Sequence, residues 1–213
     1  MPAFALARRL RAGETVFGAW CMLGSPIVAE TIAREGFPAV VLDAQHGLWD
    51  VASLTNGVGA LHHAESAPVV RVPLNDFALV SRALDIGAEA IIAPMINSPA
   101  DALRFASAAK YPPLGERSWG PLRAIALQSP RTAPVDYMRE ANDGTLAFAM
   151  VETATALACV DTIASTPGID GLFVGPYDLA TALSGGSAQD VQAAQVEQAI
   201  DTIRTAAKKA DKI

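Results

Sequence analysis

The sequence predicts an α/β domain built on a parallel sheet, of the (β/α)-barrel type. Three observations carry that expectation. Short, continuous apolar runs recur along the chain, amphipathic segments separate them, and no Gly-x-Gly-x-x-Gly follows any run. Continuous runs suit strands covered on both faces. The alternation suits parallel strands joined by helical crossovers. The missing glycine fingerprint argues against an open dinucleotide-binding sheet.

The strands are expected at Val16–Leu23, Ala39–Leu42, Pro68–Val72, Ala90–Ile96, Thr145–Val151 and Ile169–Val174. The helices are expected between them, each with local stop or start signals. Ser25–Arg34 opens Ser-Pro and ends at Gly36. Asp50–Glu65 follows, then Asn75–Ile86, which Gly87 closes. Ser98–Ala109 again opens Ser-Pro and stops before Tyr111-Pro112-Pro113. Thr153–Ser165 runs to Pro167-Gly168, and Gln189–Lys209 is Ala-rich and amphipathic. Tyr111–Pro130, rich in Pro and Gly, reads as an irregular segment of functional length. No change of composition and no Gly/Ser linker divides the chain, so residues 1–213 read as one domain. An eight-stranded (β/α)8 TIM barrel needs two more strands than these six. Six alone leave exposed edges. The expectation is therefore a barrel clipped at its C-terminal end, lacking its last strands and closing helix.

With 51% hydrophobic and 18% charged residues, the 213-residue chain can bury a sizeable core and does not read as disordered. The net charge of −6 offers no basic footprint for nucleic acid or an anionic membrane. Cys21 and Cys159 make neither a disulfide framework nor a zinc motif, and reduced thiols in a cytoplasm are the plain expectation. Met1–Arg11 lacks the apolar region of a signal peptide. No apolar stretch reaches the length of a membrane helix.

Active sites of parallel barrels lie at the C-terminal ends of strands. Asp43, Gln45 and His46 follow the second run, Arg71 ends the third, and Glu152 follows the fifth. Gly175, Pro176, Tyr177 and Asp178 follow the sixth. Two carboxylates from neighbouring strand ends suit Mg²⁺ or Mn²⁺, which takes few protein oxygens and leaves positions for a 2-oxo acid. Such a metal would stabilise an enolate as a Lewis acid, and Arg71 would share its charge. His46, oriented by Asp43, would move a proton. The four lysines, Lys110, Lys208, Lys209 and Lys212, lie outside the expected strands, which speaks against Schiff-base chemistry.

Each residue also has a structural explanation. Asp178 suits a helix N-cap. Glu152 suits an interior ion pair, and Arg71 needs an anion that Asp43 could equally supply. A lone His such as His46 is usually a hydrogen-bonded core residue, while His62 and His63 fall late in a helix, facing solvent. Trp20 and Trp119 suit either core or pocket wall. The occurrence of the set on one rim favours the functional reading.

Several stretches resemble a known family. They are Gly18-Ala-Trp-Cys-Met-Leu-Gly-Ser-Pro26, Leu42-Asp-Ala-Gln-His-Gly47, Val70-Arg-Val-Pro73 with Asn75-Asp76, Ala83–Ala88 and Ile91-Ile-Ala-Pro-Met95. Tyr111–Arg117, Met150-Val-Glu-Thr153 and Phe173-Val-Gly-Pro-Tyr-Asp-Leu179 complete the set. In this order they resemble the metal-dependent (class II) pyruvate aldolases of HpcH/HpaI type. These are the 4-hydroxy-2-oxoheptanedioate and 2-dehydro-3-deoxyglucarate aldolases.

The resemblance implies a lyase that reversibly cleaves 4-hydroxy-2-oxo acids to pyruvate and an aldehyde through a pyruvate enolate on the metal. It implies Glu152 and Asp178 as carboxylates for Mg²⁺, Mn²⁺ or Co²⁺, and His46 as the catalytic His supported by Asp43. Arg71 would bind pyruvate, with Gly175, Pro176 and Trp20 beside the substrate. It further implies a cytoplasmic homo-oligomer, a hexamer built as a trimer of dimers, with Asp85 at a subunit contact. Met150 stands where some members carry Gln, and Ser118 where Gly often follows the Arg of the Tyr-Pro-Pro loop. The alternatives are an acyl-CoA lyase of the malyl-CoA or citramalyl-CoA kind and a non-catalytic 2-oxo-acid-binding barrel.

Overall fold

A computed structural model describes residues 4–128 and 133–213. In chain order the elements are α1 (Ala5–Arg11), β1 (Gly18–Cys21), α2 (Pro26–Arg34), β2 (Ala39–Asp43), α3 (Val51–His63), β3 (Ala67–Arg71), α4 (Phe77–Asp85) and β4 (Ala90–Ala93). Then come α5 (Pro99–Ala109), α6 (Leu122–Gln128), α7 (Pro134–Gly144), β5 (Leu146–Val151), α8 (Ala154–Ala158), α9 (Val160–Ser165), β6 (Gly171–Val174), α10 (Pro176–Leu183) and α11 (Ala194–Lys209). The strands form one parallel sheet in sequence order, β1-β2-β3-β4-β5-β6.

Side-chain alternation gives the sheet two apolar faces. One carries Val40, Leu42, Val70, Ile91, Ala147, Ala149 and Val151, which pack against the helices. The other is concave and carries Val41, Val69, Ile92, Phe148 and Met150, sealed from below by Leu6 and Ala7 of α1. Burial on both sides explains why β2 to β5 read as unbroken apolar runs. Local chemistry starts the helices where the chain turns back. Asp50 and Ser53 cap α3 reciprocally, Asp76 accepts the Leu79 N–H at 3.0 Å, and Ser98 accepts the Asp101 N–H at 3.1 Å.

The (β/α)8 TIM barrel expected from the sequence, even as a clipped one, is not formed. The chain is a six-stranded, parallel half-barrel. A parallel cylinder filled by its own side chains takes about eight strands, and with six the outer edges of β1 and β6 do not pair with each other. Ile213 occupies part of the β6 edge in parallel fashion. Its N–H donates to Asp170 O at 3.0 Å, and its carbonyl accepts from Leu172 N at 2.9 Å. Across the gap the rings of Trp20 and Phe173 lie 5.9 Å apart.

Smaller corrections follow from packing. The segment Tyr111–Pro130 holds α6, and its last two residues lie outside the described ones. The helix expected over Thr153–Ser165 breaks at Cys159 into α8 and α9. His62 does not face solvent: its Nε2 lies 2.8 Å from Gly87 O, and burial lowers its pKa. No helix of the described residues is long and apolar enough to cross a membrane.

Glu89 is 3% exposed, just before β4, and its Oε2 accepts the Leu6 N–H of α1 at 3.1 Å. Burial outweighs this bond and the nearby Arg8 charge, raising its pKa to about 7. Between pH ~4.5 and ~7 the folded chain keeps a proton that the unfolded chain releases, so stability falls as pH rises through that window. Glu89→Gln should therefore match the parent near pH 4 and exceed it by up to about 3 kcal/mol above pH 8. Urea titrations at the two pH values read this difference, and equal gaps at both would contradict it.

Candidate active site at the C-terminal rim

Asp43, Arg71 and Glu152 stand at or just past the C-terminal ends of β2, β3 and β5. Alternation along each strand puts them on the concave side, above Val41, Val69 and Met150. Asp43 pairs with Arg71 in register across β2 and β3. Arg71 Nε donates to Asp43 Oδ1 at 2.9 Å and Nη2 to Oδ2 at 2.5 Å. The Trp20 indole N–H adds a bond to Oδ2 at 3.2 Å, and the Gln45 and His46 backbone N–H groups reach Oδ1 at 3.1 and 3.2 Å. Asp43 is wholly buried. Burial alone would raise its pKa, but the bonds from Arg71, Trp20 and the His46 N–H hold it below the usual carboxylate value.

This geometry revises the role expected of Asp43. Its oxygens are taken up by Arg71, Trp20 and the turn Ala44–Gly47, and it meets the His46 backbone rather than the imidazole. The His46 side chain is exposed on that turn. Asp43 is thus the buried anion that Arg71 needs, and the fork fixes the guanidinium bidentately. Arg71 Nη1 carries no hydrogen bond among the described residues.

Glu152 is 2% exposed. Its Oε1 accepts the Met95 N–H at 2.7 Å. Met95 has φ +53°, a left-handed conformation uncommon for a side chain of its size, and it aims that N–H into the site. Gly175 makes room on the other side, since a Cβ there would lie 2.6 Å from Glu152 Oε2 and 2.7 Å from Met150 Cε. Gly175 is also the N-cap of α10 with Pro176 as its first residue, so Asp178 is the third helical residue and not the cap. Asp178 is exposed at the mouth, near enough to the buried Glu152 carboxyl for its charge to oppose Glu152 ionisation. Burial first, and then Asp178, raise the Glu152 pKa against the Met95 N–H and the Arg71 charge.

Two carboxyl groups held against each other, one of them buried, form a donor set that a cation would relieve. Among the described residues no cluster of three or more His, Cys, Asp and Glu exists, so the imidazole- and thiolate-rich sets of zinc are not offered. An oxygen pair with an open side fits a hard divalent ion that keeps waters and admits substrate oxygens.

The structure brings together Asp43, Arg71, Trp20, Glu152, Gly175, Pro176 and Asp178, with His46 on the adjacent turn. Asp85 lies elsewhere, at the end of α4 toward the N-terminal side of the sheet, where its Oδ1 accepts Arg117 Nη2 at 2.5 Å. Sequence reasoning missed Met95, whose contribution is a backbone N–H with no side-chain signature. It also missed Phe173, which the two-residue period from Gly175 does place on the concave side. A cavity of about 760 Å³ opens at the opposite end of the sheet, beside Arg11, Lys110, Asp170 and Lys212. Its buried cation is already saturated: Lys110 Nζ reaches Asn142 O, Thr145 O and Asp170 Oδ2, each at 2.6 Å. The Lys110 amine is therefore not free for Schiff-base chemistry.

A parallel α/β sheet with acidic groups and an anchored Arg on its C-terminal rim is the architecture of a rim-site enzyme. The HpcH/HpaI aldolase/citrate lyase family matches residues 16–213, and the chain belongs to it. It is an enzyme of the aldolase type. It is 37% identical over 212 residues to the hydroxypyruvate/pyruvate aldolase of Pseudomonas aeruginosa, covering 99% of this chain and 78% of that one. It is 35% identical to the 5-keto-4-deoxy-D-glucarate aldolase of Klebsiella pneumoniae, covering 94% and 76% respectively. The solved structure of an HpcH/HpaI aldolase/citrate lyase family protein from Burkholderia cenocepacia superposes with a TM-score of 0.85 at 36% identity, covering 98% of this chain and 82% of that one.

Proposed function

We propose that this chain is a divalent-metal-dependent aldolase that reversibly cleaves 4-hydroxy-2-oxo acids to pyruvate and an aldehyde. The observation that carries the reading is the placing of the Glu152 and Asp178 carboxyls on one rim, near enough for Asp178 to oppose Glu152 ionisation, beside an Arg held by its own buried anion. Aldolases among the relatives, one named for pyruvate, support the substrate class.

Glu152 and Asp178 would hold Mg²⁺ or Mn²⁺, with Co²⁺ as a further candidate. When bound, the ion supplies a Lewis acid for negative charge on the keto oxygen. The rest falls to the chain. Arg71, immobilised by Asp43, directs Nη1 at the 2-oxo acid and shares the charge that develops as the C3–C4 bond breaks. His46 takes the proton of the C4 hydroxyl, directly or through a water. Gly175 and Pro176 border the substrate without a side chain that would crowd Glu152. The apolar concave floor below, Phe148 and Met150 among it, keeps bulk water from that side. A homo-oligomer in the cytoplasm, with Asp85 near a subunit contact, belongs to the same proposal.

The test is exchange of the pyruvate methyl hydrogens in deuterated water, followed by NMR with Mg²⁺, Mn²⁺ or Co²⁺ and with chelator. Exchange that needs a divalent ion is expected, together with pyruvate release from 4-hydroxy-2-oxo acids. Absence of exchange with every ion, or full exchange in chelator, would reject the assignment.

A further inference from the structure

We propose that Trp20 and Phe173 form a positioning clasp, which bridges the open side between β1 and β6 and fixes the plane of the Arg71 guanidinium. The inference rests on the aldolase reading for its catalytic consequence. Its structural content stands on three contacts and on the strand order of the sheet. The Trp20 indole N–H donates to Asp43 Oδ2 at 3.2 Å. Arg71 Cζ lies 4.8 Å from the Trp20 ring centroid. The Phe173 ring lies 5.9 Å from that of Trp20, tilted by 43°. Finally, β1 and β6 share no backbone pairing, so this ring contact is where the two edges meet at the level of the site.

The bidentate bond to Asp43 holds Arg71 along one edge and leaves its plane free to tilt about that edge. A ring against the guanidinium face removes the tilt. Trp20 could not do this alone. It stands on an edge strand with a single neighbour and is 39% exposed. Its indole is pinned at one end by Asp43 and at the other by Phe173, a residue two positions before Gly175 on the strand that leads into Asp178. The clasp thereby sets where Nη1 points relative to the carboxylates.

Pyruvate KM and kcat from the exchange assay, with Mg²⁺ affinity by calorimetry using the metal alone, read this role. Trp20→Leu should raise KM about tenfold and leave Mg²⁺ affinity within about twofold, because the Trp20 indole N–H bonds to Asp43 and not to either proposed metal carboxylate. Trp20→Phe keeps the ring and loses the N–H, and should recover most of the lost KM. In an Arg71→Lys background, which has no planar face to hold, Trp20→Leu should change KM by less than about twofold. Equal KM effects in both backgrounds, or an unchanged KM in Trp20→Leu, would overturn the proposal. Phe173→Leu provides a reading without substrate. Hydrogen exchange of the Trp20 indole N–H should quicken about tenfold, and an unchanged rate would overturn the clasp. Failure of exchange in the parent protein would reject the aldolase reading and leave this indole measurement to decide the clasp.

Discussion

Glu152→Gln is expected to fold normally and to lose metal-dependent turnover by about 10³-fold or more. That corresponds to roughly 4 kcal/mol of transition-state stabilisation, within the several kcal/mol a Lewis-acid site supplies. The amide is nearly the same size, and its oxygen can still accept the Met95 N–H. It removes the charge that pairs with the ion, and one of two protein oxygens is then neutral. The same change relieves a conflict in the metal-free protein. Glu152 is buried, and both its burial and Asp178 oppose its ionisation. Stability should therefore be unchanged or higher, measured as Tm in chelator, while kcat/KM collapses. Loss of both together would mean that Glu152 serves the fold. Retained turnover would remove it from the site.

Lys110→Met is expected to have the largest effect on stability, a loss of about 3 kcal/mol or more. Lys110 is 1% exposed at the end of α5, and its ammonium ties the end of α7 to the start of β5 and to Asp170 before β6. Removing the cation leaves two carbonyls and a carboxylate facing an apolar side chain. Arg11 Nη2 still reaches Asp170 Oδ1 at 2.9 Å, which keeps the loss at the lower end of the range for broken buried pairs. Urea unfolding measures it. A change below about 1 kcal/mol would show that the pair contributes little beyond what its desolvation costs.

The six strands were legible because β2 to β5 are buried on both faces, and their composition has no other explanation. The edges were harder to read. β1 and β6 are half-exposed, and Val16–Leu23 overestimates a four-residue strand. That six strands fall short of a cylinder was legible from their number, while how the two free edges are covered was not. The start of α10 was read too late, at Asp178, because Gly175-Pro176 looks like a loop, although Pro at the first helical position is favourable. The rim residues were legible from their place after each apolar run. Their partners were not. Asp43 reads equally well as support for His46 or as the anion under Arg71, and only the fork geometry with Trp20 favours the second. The Met95 N–H and the Lys110 cage depend on backbone atoms brought together from distant elements, which no local pattern encodes.

The most direct test is anomalous diffraction from crystals soaked in Mn²⁺ with pyruvate. A single ion bonded to carboxylate oxygens of both Glu152 and Asp178 is the predicted result. An ion bound elsewhere, or Glu152 and Asp178 unchanged and without an ion at saturating Mn²⁺, would contradict the account.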